Sequence, residues 1–172
     1  MKIWMHRGSR ADAGLLEWPR RLLMDDPYFE LVEELWQADL MLVLGDRWDA
    51  MAAAWAAHLL RIPIGHLCGG DVTEGSYDDA MRDCISRLAT IHFVTSQESQ
   101  ARLERLGYSQ VHLIGNPGLD YIRYGNWKRE RPYSYPYVVV SYQAETIDGT
   151  VDLEAVRQAI MGRPSFWVTP NL

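Results

Sequence analysis

Apolar residues in this chain fall into short runs, separated by longer stretches in which they recur three and four positions apart. The runs read as strands and the stretches as amphipathic helices; their alternation predicts a parallel sheet flanked by helices. "KIWMH" (2–6) is the first strand, followed by a helix over "RADAGLLEWPRRLL" (10–23) that is interrupted or restarted at Pro19. After the polar break "MDDP", the spacing in "YFELVEELWQA" (28–38) predicts another helix. "DLMLVLG" (39–45) is the clearest strand, continuously apolar as a strand covered on both faces should be. The alanine-rich "DRWDAMAAAWAAHLLR" (46–61) is a strong helix with Asp46 and Asp49 at its positive end. Strand "IPIGHL" (62–67), helix "DDAMRDCISRLA" (78–89), strand "IHFVTS" (91–96), helix "QESQARLERLG" (97–107) and strand "QVHLIG" (110–115) complete the series.

From Asn116 onward the pattern weakens. "NPGLDYIRYGNWKRERPYSYP" (116–136), rich in proline, glycine, tyrosine and charge, reads as a linker. "YVVVSY", "TVDLEAVRQAIM" and "FWVTP" then form one further βαβ unit. The expected organisation is a Rossmann-like domain over 1–124, a linker over 125–136 and a truncated βαβ remnant over 137–172. A remnant of about forty residues buries too little surface to fold alone. It must extend the main sheet or pack on another chain, which predicts a homo-oligomer.

Composition narrows the function classes. With 48% hydrophobic and 23% charged residues the chain has enough apolar material for a real core. A net charge of -6 without a basic cluster argues against nucleic acid as a partner, because phosphates need a cationic face. No apolar run approaches the roughly 20 residues that span a bilayer, and "MKIWMHRGSR" does not read as a secretory signal, so no membrane partner is expected. Cys68 and Cys84 form no CxxC pair; they fit reduced thiols in a cytoplasmic protein and no metal site.

Three strand-to-helix loops carry candidate chemistry, all at the carboxyl edge of the sheet, where ligands of such folds bind. "HRGSRAD" offers Gly8, two arginines and free helix amides, which suit a phosphate or form a plain turn with solvated arginines. "GDRWD" offers Asp46 and Arg47, with Asp46 also able to cap the following helix for about 1 kcal/mol. "CGGDVTEGSYDD" (68–79) gathers Asp71, Glu74, Asp78 and Asp79 behind Gly69 and Gly70, whose backbone can turn tightly or approach a ligand. Asp78 and Asp79 can equally start a helix, with Arg82 pairing to Asp78 one turn on. Crowded carboxylates raise one another's pKa, which makes an acid or base near neutrality. The residues alone therefore point to a nucleotide or phosphate-sugar site with acid–base carboxylates.

The segments "GSRADAGLL" (8–16), "ADLMLVLGDRWDAMAAAWAA" (38–57), "IPIGHLCGGDVTEGSYDDAMRDCISRLATIHFVTS" (62–96) and "LIGNPGLDYI" (113–122) resemble the UDP-N-acetylglucosamine 2-epimerase family, particularly its hydrolysing branch. The resemblance implies an α/β fold of GT-B type in reduced form, with Rossmann-like parallel sheets and flanking helices. It also implies a UDP-sugar or other nucleotide ligand and no cofactor. The implied reaction removes the sugar C2 proton, expels UDP to give a glycal, and adds water with inverted C2 configuration. By resemblance Arg10 contacts the diphosphate, with Gly8, Arg47, Gly69, Gly70, Glu74, Asp79, Arg82 and Asn116 around the substrate. Asp46 and Asp78 stand where the family keeps catalytic carboxylates.

The chain also departs from the pattern. Cys68 replaces the Glu or His before the paired glycines, Asp71 shortens the usual "GGE", and Gln143 stands where a second-domain histidine is expected. Glutamine cannot shuttle a proton at neutral pH. Three readings stay open: a working nucleotide-sugar enzyme, a non-catalytic nucleotide or nucleotide-sugar binder, and altered chemistry with Cys68 as nucleophile rather than an inert buried thiol. The histidines read as packing groups, with His66 the exception to watch.

Overall fold

A computed structural model of the chain describes residues 1–125, 133–142 and 152–168. It divides into two compact units, Met1–Thr73 with Asp78–Asn126, and Glu74–Tyr77 with Trp127–Leu172. The first holds a six-stranded parallel sheet: β1 (Lys2–Met5), β2 (Glu30–Leu31), β3 (Leu40–Leu44), β4 (Ile64–Leu67), β5 (Ile91–Val94) and β6 (Val111–Leu113), in the order β2-β1-β3-β4-β5-β6. Its helices are α1 (Arg10–Leu15), α2 (Glu17–Asp25), α3 (Trp48–Leu59), α4 (Asp78–Leu88), α5 (Gln97–Arg105) and α6 (Pro117–Tyr124).

Period-two alternation in β3 explains why it is apolar throughout. Met41 and Val43 join Ile64, Ile85 and the α3 alanines Ala50, Ala54 and Ala57 in one core. Leu42 and Leu44 face the other way, into a second core with Ile3, Leu16 and Leu67. Both faces of β3 are thus covered, as parallel strands require. After β1 the chain crosses to β2 on one side, and β3 then adds on the other. That reversal places a topological switch point above the carboxyl ends of β1 and β3, the crevice where open α/β sheets bind ligands.

Two expectations are corrected. The helix predicted over 28–38 is instead the short strand β2 followed by a 3₁₀ turn at Leu35–Gln37. Edge pairing with β1 outweighs helical spacing here: Glu30 N–H donates to Met1 O at 3.1 Å and Val32 N–H to Ile3 O at 3.0 Å. Trp4 Nε1–H also donates to Glu33 O at 3.2 Å. The start of the predicted linker is the helix α6. Asn116 caps it by accepting from Gly118 N–H at 2.9 Å, and Pro117 occupies the first turn, where its missing N–H costs nothing. Tyr124 then stacks on Trp18 with centroids 5.8 Å apart.

The second unit contains β7 (Val138–Ser141), α7 (Leu153–Ala159) and β8 (Ser165–Val168). The βαβ unit does not extend the main sheet, contrary to one expectation: β7 and β8 pair with each other as a separate two-stranded parallel sheet. No described helix is long and apolar enough to cross a membrane.

Candidate active-site rim

Beyond β3 the chain turns at Gly45, whose φ of 78° suits glycine, and delivers Asp46 and Arg47 to the switch point. The N-cap position of α3 belongs to Arg47 rather than to Asp46. Asp46 points instead to Arg82 on α4, which is only 4% exposed. Arg82 Nη2 donates to Asp46 Oδ2 and, at 2.9 Å, to Thr73 Oγ1. Its Nη1 donates to Asp79 Oδ1 and, at 2.8 Å, to the Asp71 carbonyl. Asp79 Oδ1 also accepts from Thr73 N–H at 2.9 Å. Where the spacing suggested a single pair with Asp78, one buried guanidinium joins the β3 loop, the β4 loop and the first turn of α4.

Asp46 is the electrostatically distinctive group at this rim. Burial pushes its carboxyl above the ordinary range, the Arg82 charge pulls it back, and the Asp78 and Asp12 charges push it up again. Its side chain stays 24% exposed, so a ligand can reach it. A carboxylate of raised basicity, open on one side and oriented on the other, has the character of a general base.

The β4 loop is built on a buried histidine. His66, fully buried, donates from Nε2 to Gly45 O at 2.8 Å and accepts at Nδ1 from Ser86 Oγ at 2.9 Å. Burial pushes its pKa down to about 4, so the ring is neutral at physiological pH. A Cβ on Gly69 would lie 2.9 Å from His66 Nδ1, and one on Gly70 2.6 Å from Ser99 O, so packing demands both glycines. Cys68 holds a φ of 64°, and burial, followed by the Asp71 charge, pushes its thiol up to about 12. That favours the protonated, inert form. Asp71 Oδ1 accepts from Thr95 Oγ1 at 2.6 Å and from Ser99 Oγ at 2.5 Å. Gly70, Asp71, Thr73 and Arg82 thereby line a 670 Å³ cleft whose far wall is α5, with Ser99 and Arg102.

At the β1 loop, Gly8 lies against Asp49: a Cβ there would run into Asp49 Oδ2. Asp49 Oδ2 meets His6 Nε2 at 3.3 Å, and its Oδ1 accepts from Arg47 Nε at 3.0 Å. Burial pushes the Asp49 carboxyl up, but its own backbone amide, the Arg47 charge and the Arg47 and His6 hydrogen bonds hold it below the ordinary range. Arg47 Nε also comes within 3.9 Å of Asp12 Oδ2. Asp12 and Ser9 form a reciprocal capping box at the start of α1.

The sequence-predicted residues therefore separate. Asp46, Asp71, Asp79 and Arg82 meet in one hydrogen-bonded cluster, with Asp78 at the start of α4 acting on Asp46 through its charge. Gly8 and Arg47 belong to the β1 side of the rim, Asn116 caps α6, and Glu74 is exposed. Arg10 opens α1, but its side chain lies outside the described residues, as does all of Gln143. Sequence reasoning missed the His6–Asp49 pair, the Ser86–His66–Gly45 chain and the hydroxyls of Thr95 and Ser99. Each joins segments distant in the sequence through residue types that carry no motif of their own.

A family model described as UDP-N-acetylglucosamine 2-epimerase matches residues 28–156. A UDP-N,N'-diacetylbacillosamine 2-epimerase (hydrolyzing) of Legionella pneumophila is 44% identical over 86 residues, which cover 49% of this chain and 22% of that protein. In three dimensions the chain is similar to the S. aureus MnaA–UDP co-structure, with a TM-score of 0.79, 18% identity, and coverage of 96% of this chain and 60% of the other. It is also similar to the Neisseria meningitidis UDP-GlcNAc 2-epimerase bound to UDP-GlcNAc, with a TM-score of 0.66, 19% identity, and coverage of 72% and 48%. The six-stranded sheet with its flanking helices thus matches part of the epimerase fold, and the matches span less than two thirds of these relatives' lengths.

Proposed function

Since the chain belongs to the UDP-N-acetylglucosamine 2-epimerase family, we propose that it acts on a UDP-activated N-acetylated amino sugar by elimination of UDP and hydration at C2. The observation that carries this reading is the Asp46 carboxylate at the switch point, made basic by burial and oriented by Arg82. Asp46 takes the C2 proton, UDP leaves from C1 with the bonding electrons, and a C1–C2 double bond forms. Water then adds across that bond, hydroxyl to C1 and proton to C2 from the opposite face, giving the C2-inverted free sugar. Asp78 is the partner carboxyl for the second proton transfer. Arg10, at the start of α1, is assigned to the diphosphate. The sequence match to a hydrolysing relative supports release of the free sugar over return of UDP to C1.

Asp71 favours a second reading. Its Oδ1 is occupied by two hydroxyls, which suits a structural acceptor better than a mobile proton carrier. On that reading the protein binds a UDP-sugar without turning it over. Incubation with UDP-N-acetylglucosamine and with UDP-N,N'-diacetylbacillosamine, followed by chromatography for free UDP, separates the two. UDP above a protein-free control supports the enzyme. Calorimetric binding without UDP release supports the binder, and neither signal removes both.

A further inference from the structure

The buried arginine on α4 carries more than an ion pair. We propose that Arg82 is a positioning residue for the elimination, holding the Asp46 carboxylate at the rim by locking the β3 and β4 loops onto the start of α4. The inference rests on Asp46 being the proton acceptor of the proposed reaction.

A guanidinium has four hydrogens on its terminal nitrogens and one on Nε. Here all four terminal donors are spent on the protein: Asp46 and Thr73 from Nη2, Asp79 and the Asp71 carbonyl from Nη1. No terminal donor is left for a substrate, so Arg82 acts through Asp46. Its buried Nε has no partner among the described residues. An unsatisfied buried donor asks for an explanation; swinging the plane to satisfy Nε would release one of the two loops. Lysine, a single point charge, cannot reach acceptors on both sides of such a plane. The charges acting on Asp46 are Arg82 and Asp78 from α4 and Asp12 from α1. Without the guanidinium, Asp46 is left with burial and two like charges.

The test uses the whole chain and has two readouts. The carboxyl carbon of Asp46 is titrated by NMR in the unliganded protein, and UDP release is followed against pH. Arg82→Gln raises the Asp46 midpoint by about one unit, moves the acid limb of kcat up with it, and lowers kcat about a hundredfold with little change in KM. Arg82→Lys recovers only part of kcat. Asp79→Asn lowers the midpoint, because Asp46 then keeps the guanidinium to itself. An unmoved midpoint in both Arg82→Gln and Asp79→Asn overturns the proposal, as does a loss confined to KM. If Arg82→Gln does not fold, Asp79→Asn alone decides by the direction of its shift. If the wild-type protein releases no UDP, the proposed reaction fails while the titration still decides whether Arg82 governs Asp46.

Discussion

His66 and Gly45 are joined across neighbouring strand ends: the buried imidazole donates from Nε2 to the Gly45 carbonyl at 2.8 Å, fixing the turn that presents Asp46. The bond needs only one ring proton, and Nδ1 must stay free of its own to accept from Ser86 Oγ. Protonating the ring would bury a charge and force Ser86 Oγ to turn from donor to acceptor.

Stability should therefore fall on mild acidification. Burial lowers the His66 pKa from 6.5 to about 4 in the folded state. Above pH 6.5 neither state is protonated at His66 and its contribution is complete. As pH falls below 6.5, the unfolded chain binds a proton that the folded ring refuses. The loss is about 1.4 kcal/mol per pH unit until the folded pKa is reached. Urea melts between pH 7 and 4.5 check this, with His66→Gln as the control that flattens the slope. An equal slope in both proteins would assign the effect to other groups.

The two thiols should differ in reactivity. Cys68 is pushed up to about 12, whereas Cys84 is exposed on α4. At pH 8 a thiol shifted so far presents roughly a thousandth of the usual thiolate. Iodoacetamide followed by peptide mass mapping should label Cys84 alone. Rapid labelling of Cys68 in folded protein would revive it as a nucleophile.

Gly8 packs against the side-chain ends of Asp49 and His6. Gly8→Ala puts a methyl against the Asp49 carboxylate and displaces it from His6, which costs about 1 kcal/mol. A thermal melt several degrees lower is expected, and Gly8→Ala/Asp49→Gly should regain part of it. An unchanged melt would mean that the β1 loop and α3 separate freely.

Asp46→Asn keeps the shape of the rim and removes the proposed base. UDP release should fall about 10²–10⁴-fold, the usual range for a lost general base. Nucleotide-sugar binding by calorimetry should be nearly retained. Full turnover in this variant would transfer the proton abstraction to another group.

Most of the central sheet was legible in the residues because β3, β4 and β5 are apolar runs that only a sheet covered on both faces can bury. The rim was legible as far as its loops: Asp46, Asp71, Asp79 and Arg82 were all singled out, and they meet. Who meets whom was not. The spacing of Asp78 and Arg82 encodes one helical turn, whereas the contacts of Arg82 with Asp46 and Thr73 depend on how β3 and β4 sit side by side. The misread helix over 28–38 has the same origin, since Leu31 is claimed by a strand partner far earlier in the chain, Ile3. At Pro117 the error was local: proline was read as a breaker although the preceding asparagine makes it a helix start.

One guanidinium serving three segments also constrains how this rim can change. Removing Asp46, Thr73 or Asp79 frees a donor that the remaining acceptors can take up, so the energetic effects of such substitutions cannot be summed. A lineage altering one of these positions alters the surroundings of the others at once. New specificity is therefore more accessible from the α5 wall of the cleft, where Arg102 stands clear of that network.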